Sequence, residues 1–217
     1  MNLYLSRLTF NTRDVAARNI LGDWYGLHRL LWSAFPDAER GGAGRVLFRV
    51  DAATSNCLPR AVVQSDLEPN WEEIEQRSLL RERVSLRVLS PQLAEGDRLR
   101  FLLRANPTRR EPGRHAIHPE TGKPKDGPRR ALLREDEQRE WLDRHGRAGG
   151  FRPLDVQVND RGVIDVRKPP SVRIRYACID FEGIIEVTDP DALLVTLRNG
   201  IGSAKGFGFG LLSLARA

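Results

Sequence analysis

The hydrophobic period changes in the same order twice along 217 residues, and this repetition constrains the fold more than any other feature of the chain. In the first half NLYLSRLTF (2–10) alternates as a strand, and DWYGLHRLLWSAF (23–35) carries helical spacing. RVLFRVD (45–51) and RAVVQSD (60–66) read as strands, followed by a short helix in NWEEIEQRS (70–78) and a strand in RVSLRVL (83–89). The second half opens with RLRFLLRAN (98–106), which sets Leu99, Phe101, Leu103 and Ala105 on one face and Arg98, Arg100 and Arg104 on the other. A helix over 134–147 follows; SVRIRYACID (171–180) and GIIEVTD (183–189) read as neighbouring strands turning at Glu182-Gly183. DPDALLVTLRN (189–199) starts as a helix at Asp-Pro, and GLLSLA (210–215) closes as a strand. Each half is β-α-β-β-α-β, so the expected class is α+β with two tandem ferredoxin-like domains. These domains are expected over residues 1–90 and 98–217, joined where PQLAEGD interrupts the strands between Ser90 and Asp97.

Charge separates the two halves. Residues 98–175 hold 20 Lys and Arg against 11 Asp and Glu, a net of +9, whereas the rest holds 15 against 18. Within 104–134, Arg104, Arg109, Arg110, Arg114, Lys123, Lys125, Arg129, Arg130 and Arg134 face only Glu111, Glu120 and Asp126. A Pro- and Gly-containing segment so charged reads as an extended basic loop that meets a polyanion. Arg167 and Lys168, before a Pro169-Pro170 turn, add to that field.

Other classes are excluded or weakened. No apolar run approaches the roughly 18 residues of a membrane helix, and MNLYLSRLTF lacks the pattern of a signal peptide, so a cytoplasmic protein without membrane contact is expected. Cys57 and Cys178 are too few for a disulfide framework and read as small core residues. His115 and His118, three apart in the basic segment, lack a carboxylate partner at ligand spacing, and neither a metal nor a cofactor is expected. His145 near a helix end reads as a favourable C-terminal charge.

Two stretches carry chemistry. On the 23–35 helix, Trp24, Leu27, Leu31, Ala34 and Phe35 form the core face, and Pro36 stops the helix. Tyr25, His28 and Trp32 share the adjacent stripe, which places His28 between core and solvent within reach of Tyr25. In NGIGSAKGFGFG, Gly200, Gly202, Gly206, Gly208 and Gly210 do not match a dinucleotide or P-loop fingerprint. They allow close backbone approach to a ligand, with Lys205 supplying charge for a phosphate.

YGLHRLLW (25–32), RLRFLLRANPT (98–108), EWL (140–142), DFEGIIEV (180–187) and RNGIGSAKGFGFGLLSLA (198–215), in this order, resemble the CasE-type CRISPR RNA endoribonucleases of type I-E systems. The resemblance implies a tandem ferredoxin-like enzyme that cuts repeat RNA at the base of its hairpin and stays bound to the product among the other Cascade subunits. It also implies that Tyr25 and His28 are the catalytic pair and that the segment around Lys205 is a glycine-rich RNA-binding loop.

The residues fit that chemistry. RNA supplies its own 2′-OH nucleophile, so alignment and proton transfer are needed and a metal is not. His28 can serve as base for the 2′-OH or acid for the leaving 5′ oxygen, with Tyr25 orienting phosphate or imidazole. No lysine follows His28 on its helix, so Arg29 or Lys205 would have to meet the charge of the phosphorane. The basic residues suit the stem of an A-form hairpin. A non-catalytic RNA-binding subunit of the same fold is the alternative; a duplex-DNA binder is disfavoured by the lack of a recognition-helix motif.

Overall fold

The computed structural model describes residues 2–35, 44–111 and 127–216. Pro36, Arg114, His115, His118, Lys123 and Lys125 lie outside the described residues.

The first half forms a four-stranded antiparallel sheet from β1 (Leu3–Thr9), β2 (Val46–Asp51), β3 (Arg60–Ser65) and β4 (Ser85–Leu89), in the order β2-β3-β1-β4. Helices α1 (Val15–Gly22), α2 (Trp24–Trp32) and α3 (Glu72–Glu75) accompany it. The core is a cluster that includes Leu8, Phe10, Leu27, Leu31, Phe48, Val63 and Ile74. Trp71 is buried with it, and its indole N–H donates to Ser6 Oγ at 2.9 Å, so the polar edge of the ring is satisfied.

Helix α1 is absent from the sequence reading. Its run VAARNILG is only eight residues, although Ala17, Ile20 and Leu21 meet the core at helical spacing, and Asp14 caps it by accepting from Ala17 N at 2.9 Å. Asp23, extended at φ −115°, ends α1 and caps α2 by accepting from Tyr25 N at 3.1 Å. A side chain at residue 26 would strike that cap, because a Cβ there would lie 2.4 Å from Asp23 Oδ2. Gly26 thus keeps the cap, and the cap sets the rotation of α2.

The second half builds another antiparallel sheet from β5 (Arg98–Ala105), β8 (Phe151–Lys168), β9 (Val172–Val187) and β10 (Leu212–Arg216), in the order β10-β5-β9-β8. Strands β6 (Thr108–Arg110) and β7 (Arg129–Ala131) form a separate ribbon. Helices α4 (Glu135–Ala148) and α5 (Pro190–Asn199) supply Trp141, Leu142, Leu193 and Leu197 to a core with Phe101, Phe151 and Phe181. As expected, Phe101, Leu103 and Ala105 point into it.

Two strand assignments change. The chain does not turn at Glu182-Gly183: β9 runs straight through it, and its hairpin partner is β8, which the sequence reading missed. Gly183 is used for close approach. It sits at φ 148° beside a register shift in β8 between Pro153 and Asp155, where a Cβ would lie 2.1 Å from the Asp155 carbonyl oxygen. Strand β8 escaped notice because DVQVND offers only two apolar residues, with four of its six charged or amide-bearing, and Asn159-Asp160 imitates a turn. The cysteines also part: Cys178 is buried, with its thiol pushed up to about 11 by burial, whereas Cys57 is exposed and not a core residue.

Polar bonds join the halves. Buried Gln64 donates from Nε2 to the Leu197 carbonyl at 2.7 Å, and Arg49 donates from Nη1 to Ser213 Oγ at 2.7 Å. Arg104 makes a paired contact with Asp180, Nε to Oδ1 at 2.7 Å and Nη2 to Oδ2 at 2.8 Å, and also donates to the Val50 carbonyl. Among the described residues no helix is long and apolar enough to cross a membrane.

Candidate functional site

The rotation that Asp23 sets on α2 buries Leu27, Leu30 and Leu31 and leaves Tyr25, His28 and Trp32 half-buried on the neighbouring stripe, as the spacing predicts. Trp24, half-buried, packs on the first-half core as expected and also reaches a second cluster. It packs at the junction of the halves, where a Cβ on Gly208 would lie 3.0 Å from Cζ3 of its ring.

The stripe is covered by the second half. The connection over 200–210 runs from α5 to β10, and Lys205–Phe207 within it form one 3-10 turn. Gly200, Gly202, Gly208 and Gly210 hold positive φ of 69°, 79°, 84° and 85°, so the backbone folds back tightly, whereas Gly206 lies inside the turn. A Cβ on Gly206 would sit 3.5 Å from His28 Cε1. Trp32 lies against one side of the imidazole at 4.0 Å between centroids, and Phe207 lies at 5.9 Å. Tyr25 packs on a small cluster of Ile164, Val166, Cys178 and Phe209, together with Tyr176 and Phe207. The sequence-predicted pair is thus brought under one aromatic cover. Phe207 and Tyr176, whose rings stack at 5.7 Å, were missed by sequence reasoning: Phe207 sits among the glycines that drew attention instead, and Tyr176 is distant in the chain and shows no motif.

The electrostatics of His28 follow from this cover. Burial depresses its pKa below the ordinary histidine value; the Gly206 backbone partly opposes the shift and the charge of Lys168 adds to it. Nδ1 is buried and makes no hydrogen bond of ordinary geometry. Lys168 ends β8, and beside it a cleft of about 530 Å³ opens between Gly22, Asp23 and Trp24 of the helix junction and Asp165 and Arg167 of the strand.

The basic residues divide. Arg109, Arg110, Arg129 and Arg130 are exposed on the β6–β7 ribbon, where Arg109 opposes Arg130 and Arg110 opposes Arg129. Arg109 reaches Glu137 at 3.4 Å and Arg130 reaches Glu111 at 2.6 Å. Arg167 and Lys168 are exposed at the end of β8, next to the His28 stripe. Arg104 is a correction: it is largely buried, with its guanidinium committed to Asp180 and Val50, so it holds the two sheets together and has no group left for RNA. Lys205 is half-buried, its pKa lowered by burial and by Arg45; its charge is felt at His145, and that of Lys168 at His28. His145 is also corrected. Its Nδ1 bonds the Trp141 carbonyl at 2.8 Å and burial lowers its pKa, so it is not the helix-end charge its position suggests. Among the described residues no group of three or more His, Cys, Asp or Glu is placed to hold a metal.

Comparison with known proteins adds to this geometry. A family model described as CRISPR associated protein matches residues 3–216. The CRISPR-associated endoribonuclease Cse3 of Thermus thermophilus is 34% identical over 224 residues, covering 98% of this chain and 100% of the relative. The CRISPR system Cascade subunit CasE of Escherichia coli is 32% identical over 216 residues, covering 98% and 99%. A structure of Thermus thermophilus Cse3 bound to an RNA representing a pre-cleavage complex superimposes with a TM-score of 0.83 at 35% identity, over 99% of this chain and 100% of that one. The chain therefore belongs to the CasE-type branch of the CRISPR-associated protein family.

Proposed function

We propose that this chain is a metal-independent endoribonuclease that cuts CRISPR repeat RNA at the base of its hairpin by attack of the 2′-OH. It then stays on the mature guide RNA with the other subunits of a Cascade complex in the cytoplasm. The observation that carries the reading is the placement of His28: its imidazole lies against Trp32 and near Phe207, under the Gly206 turn of the glycine-rich segment, and burial lowers its pKa. End-to-end similarity to an endoribonuclease supports the reaction class.

A neutral imidazole is a base. His28 Nε2 takes the 2′-OH proton, O2′ attacks the adjacent phosphorus, and the bond to O5′ breaks; O5′ takes up a proton from water, or the one the imidazolium has gained, which yields a 2′,3′-cyclic phosphate and a 5′-OH and leaves the ring neutral or ready to lose its proton to solvent. Tyr25 orients the phosphate or the ring. Lys168 takes the place that Arg29 or Lys205 would otherwise fill and meets the negative charge on the phosphoryl oxygens. Arg109, Arg110, Arg129, Arg130 and Arg167 hold the stem through its phosphates.

For the scaffold we infer two ferredoxin-like domains, residues 1–90 and 98–217. The support is strand order: numbered within each half, both sheets read 4-1-3-2 with every neighbouring pair antiparallel. The 200–210 segment then serves as a glycine-rich RNA-binding loop, supported by its place against His28.

Incubation of the full chain with a 3′-extended repeat hairpin in EDTA tests the function. Cleavage is expected to persist and to stop when the nucleotide before the cut is 2′-deoxy, with binding retained. Normal cutting of the deoxy substrate would overturn the mechanism; binding without any cutting would leave an RNA-binding subunit.

A further inference from the structure

We infer that the cleft of about 530 Å³ between the α1–α2 junction and the end of β8 seats the base of the nucleotide that follows the cut, stacked on Trp24 and selected by Asp23. The inference rests on the RNA-processing reading above. Gly22, Asp23 and Trp24 form one wall of the cleft, and Asp165 and Arg167 form the other.

Position supplies the first reason. Along the 200–210 segment the contacts run in order: Gly202 lies against Trp141 at the foot of the β6–β7 ribbon, Gly206 against His28, and Gly208 against Trp24. Trp24 directly precedes Tyr25, and Arg167 directly precedes Lys168, whose charge is felt at His28. A hairpin whose stem lies on the ribbon and whose scissile phosphate meets His28 therefore carries its next nucleotide to the cleft. That nucleotide lies outside the stem, so its base has no pairing partner and can turn into a protein pocket.

Chemistry supplies the second. Trp24 is half-buried: it packs on both cores and still lines the cleft. Arg167 is exposed on the other wall. Aromatic faces and guanidinium planes are the surfaces on which unstacked bases are held. The two acids decide between base and phosphate. Beside Arg167 and Lys168 they repel phosphate oxygens, whereas they accept from N–H groups on the edge of a base.

Of these acids Asp165 is engaged by Arg173, whose Nε lies 2.9 and 2.7 Å from its two oxygens. Asp23 spends one bond on the Tyr25 N–H at 3.1 Å, and a carboxylate has about four lone-pair sites, so Asp23 is the acid left to read the base. Adenine, guanine and cytosine carry exocyclic amino groups for it. Uracil carries only carbonyl oxygens at those positions and is repelled. The seat also suits a protein that keeps one product. Once the bond to O5′ breaks, the downstream strand is held by one base while the hairpin keeps its whole stem surface, so the downstream strand is the one that leaves.

The test uses the full chain and repeat hairpins whose first nucleotide after the cut is adenosine, uridine or abasic. Dissociation constants are read on versions made uncleavable by a 2′-deoxy nucleotide before the cut, and single-turnover rates on the ordinary ones. For the wild type, removal of the base is expected to raise Kd about fivefold or more, as loss of one base–aromatic stack does, with uridine between adenosine and the abasic RNA. Trp24→Leu, which keeps an apolar side chain at the junction, is expected to bind adenosine and abasic RNAs alike. Asp23→Asn, which keeps a good helix cap, is expected to close the gap between adenosine and uridine while the abasic loss remains. A wild type that cuts the hairpin yet binds adenosine and abasic RNAs equally loses the seat and keeps the reading of function; failure to bind the hairpin at all removes that reading and the seat with it. An abasic loss undiminished in Trp24→Leu of normal melting temperature places the base elsewhere, and an unchanged adenosine–uridine gap in Asp23→Asn removes the role of Asp23. Should Trp24→Leu fail to fold, the wild-type series and Asp23→Asn decide. Free adenosine 5′-monophosphate separates the sources of a base: Trp24-dependent inhibition of cutting, without any effect of the abasic nucleotide, would overturn the RNA assignment.

Discussion

His28 owes its chemistry to three neighbours that the 23–35 helix does not contain: Phe207, Gly206 and Lys168. If it moves a proton, His28→Ala is expected to lower the single-turnover cleavage rate by about 10² to 10⁴-fold. Tyr25→Phe, which keeps the ring in its packing against Ile164 and Val166, is expected to cost less. Because burial lowers the His28 pKa, the rate in the base role should rise with pH through a value below about 6.5 and level off near neutrality. The sign for stability is the same. The unfolded chain protonates this ring at about 6.5 and the folded chain only at lower pH, so stability is present above the unfolded value and is lost as pH falls towards the folded one. His145 shifts in the same direction and adds to that loss. Melting temperatures between pH 5 and 8 check this: His28→Gln should reduce the acid loss, and an unchanged slope would contradict a depressed His28 pKa.

The β8–β9 hairpin shows how far the elements could be read in advance. The stripe on α2 was legible because Leu27 and Leu31 mark a core face and His28 must then lie beside it. Strand β8 was not, since its residues face solvent along much of its length and its apolar alternation is confined to Val156 and Val158 before polar Asn159-Asp160. Gly183 misled in a specific way: turn and bulge both call for glycine, and only the register with Asp155 separates them. Arg104 sat in a basic sequence context, yet its partner Asp180 lies 76 residues away, so its commitment could not be read locally. The same pairing makes two predictions. Asp180→Ala leaves Arg104 buried and unpaired and is expected to cost about 3–5 kcal/mol in chemical denaturation. Gly183→Ala forces a Cβ into the Asp155 carbonyl at a φ that side chains rarely adopt, and a measurable loss of melting temperature is expected. Full stability in either variant would refute the corresponding packing.

The molecule as a whole places an uneven charge on a site that both halves build. Helix α2 brings Tyr25 and His28 from the first half, while the second brings the aromatic cover, Lys168 and the exposed arginines of the ribbon. The net of +9 on residues 98–175 against −3 over the rest of the chain accords with the function proposed above, in which the arginine-rich segment holds the polyanion and helix α2 presents the proton acceptor. Exposed ion pairs such as Arg109 with Glu137 contribute little to folding, so their arginines can exchange a carboxylate for a phosphate at small cost. Neutralising Arg109 and Arg110 together should therefore leave the melting temperature nearly unchanged while weakening hairpin binding. Each lost phosphate contact removes roughly 0.7 to 0.9 from the slope of log K against log salt, so the double variant should show a slope shallower by up to twice that amount. Titrations of an uncleavable hairpin between low and moderate salt measure the slope directly, and an unchanged value would move the RNA stem off the ribbon and onto Arg167 and Lys168 alone.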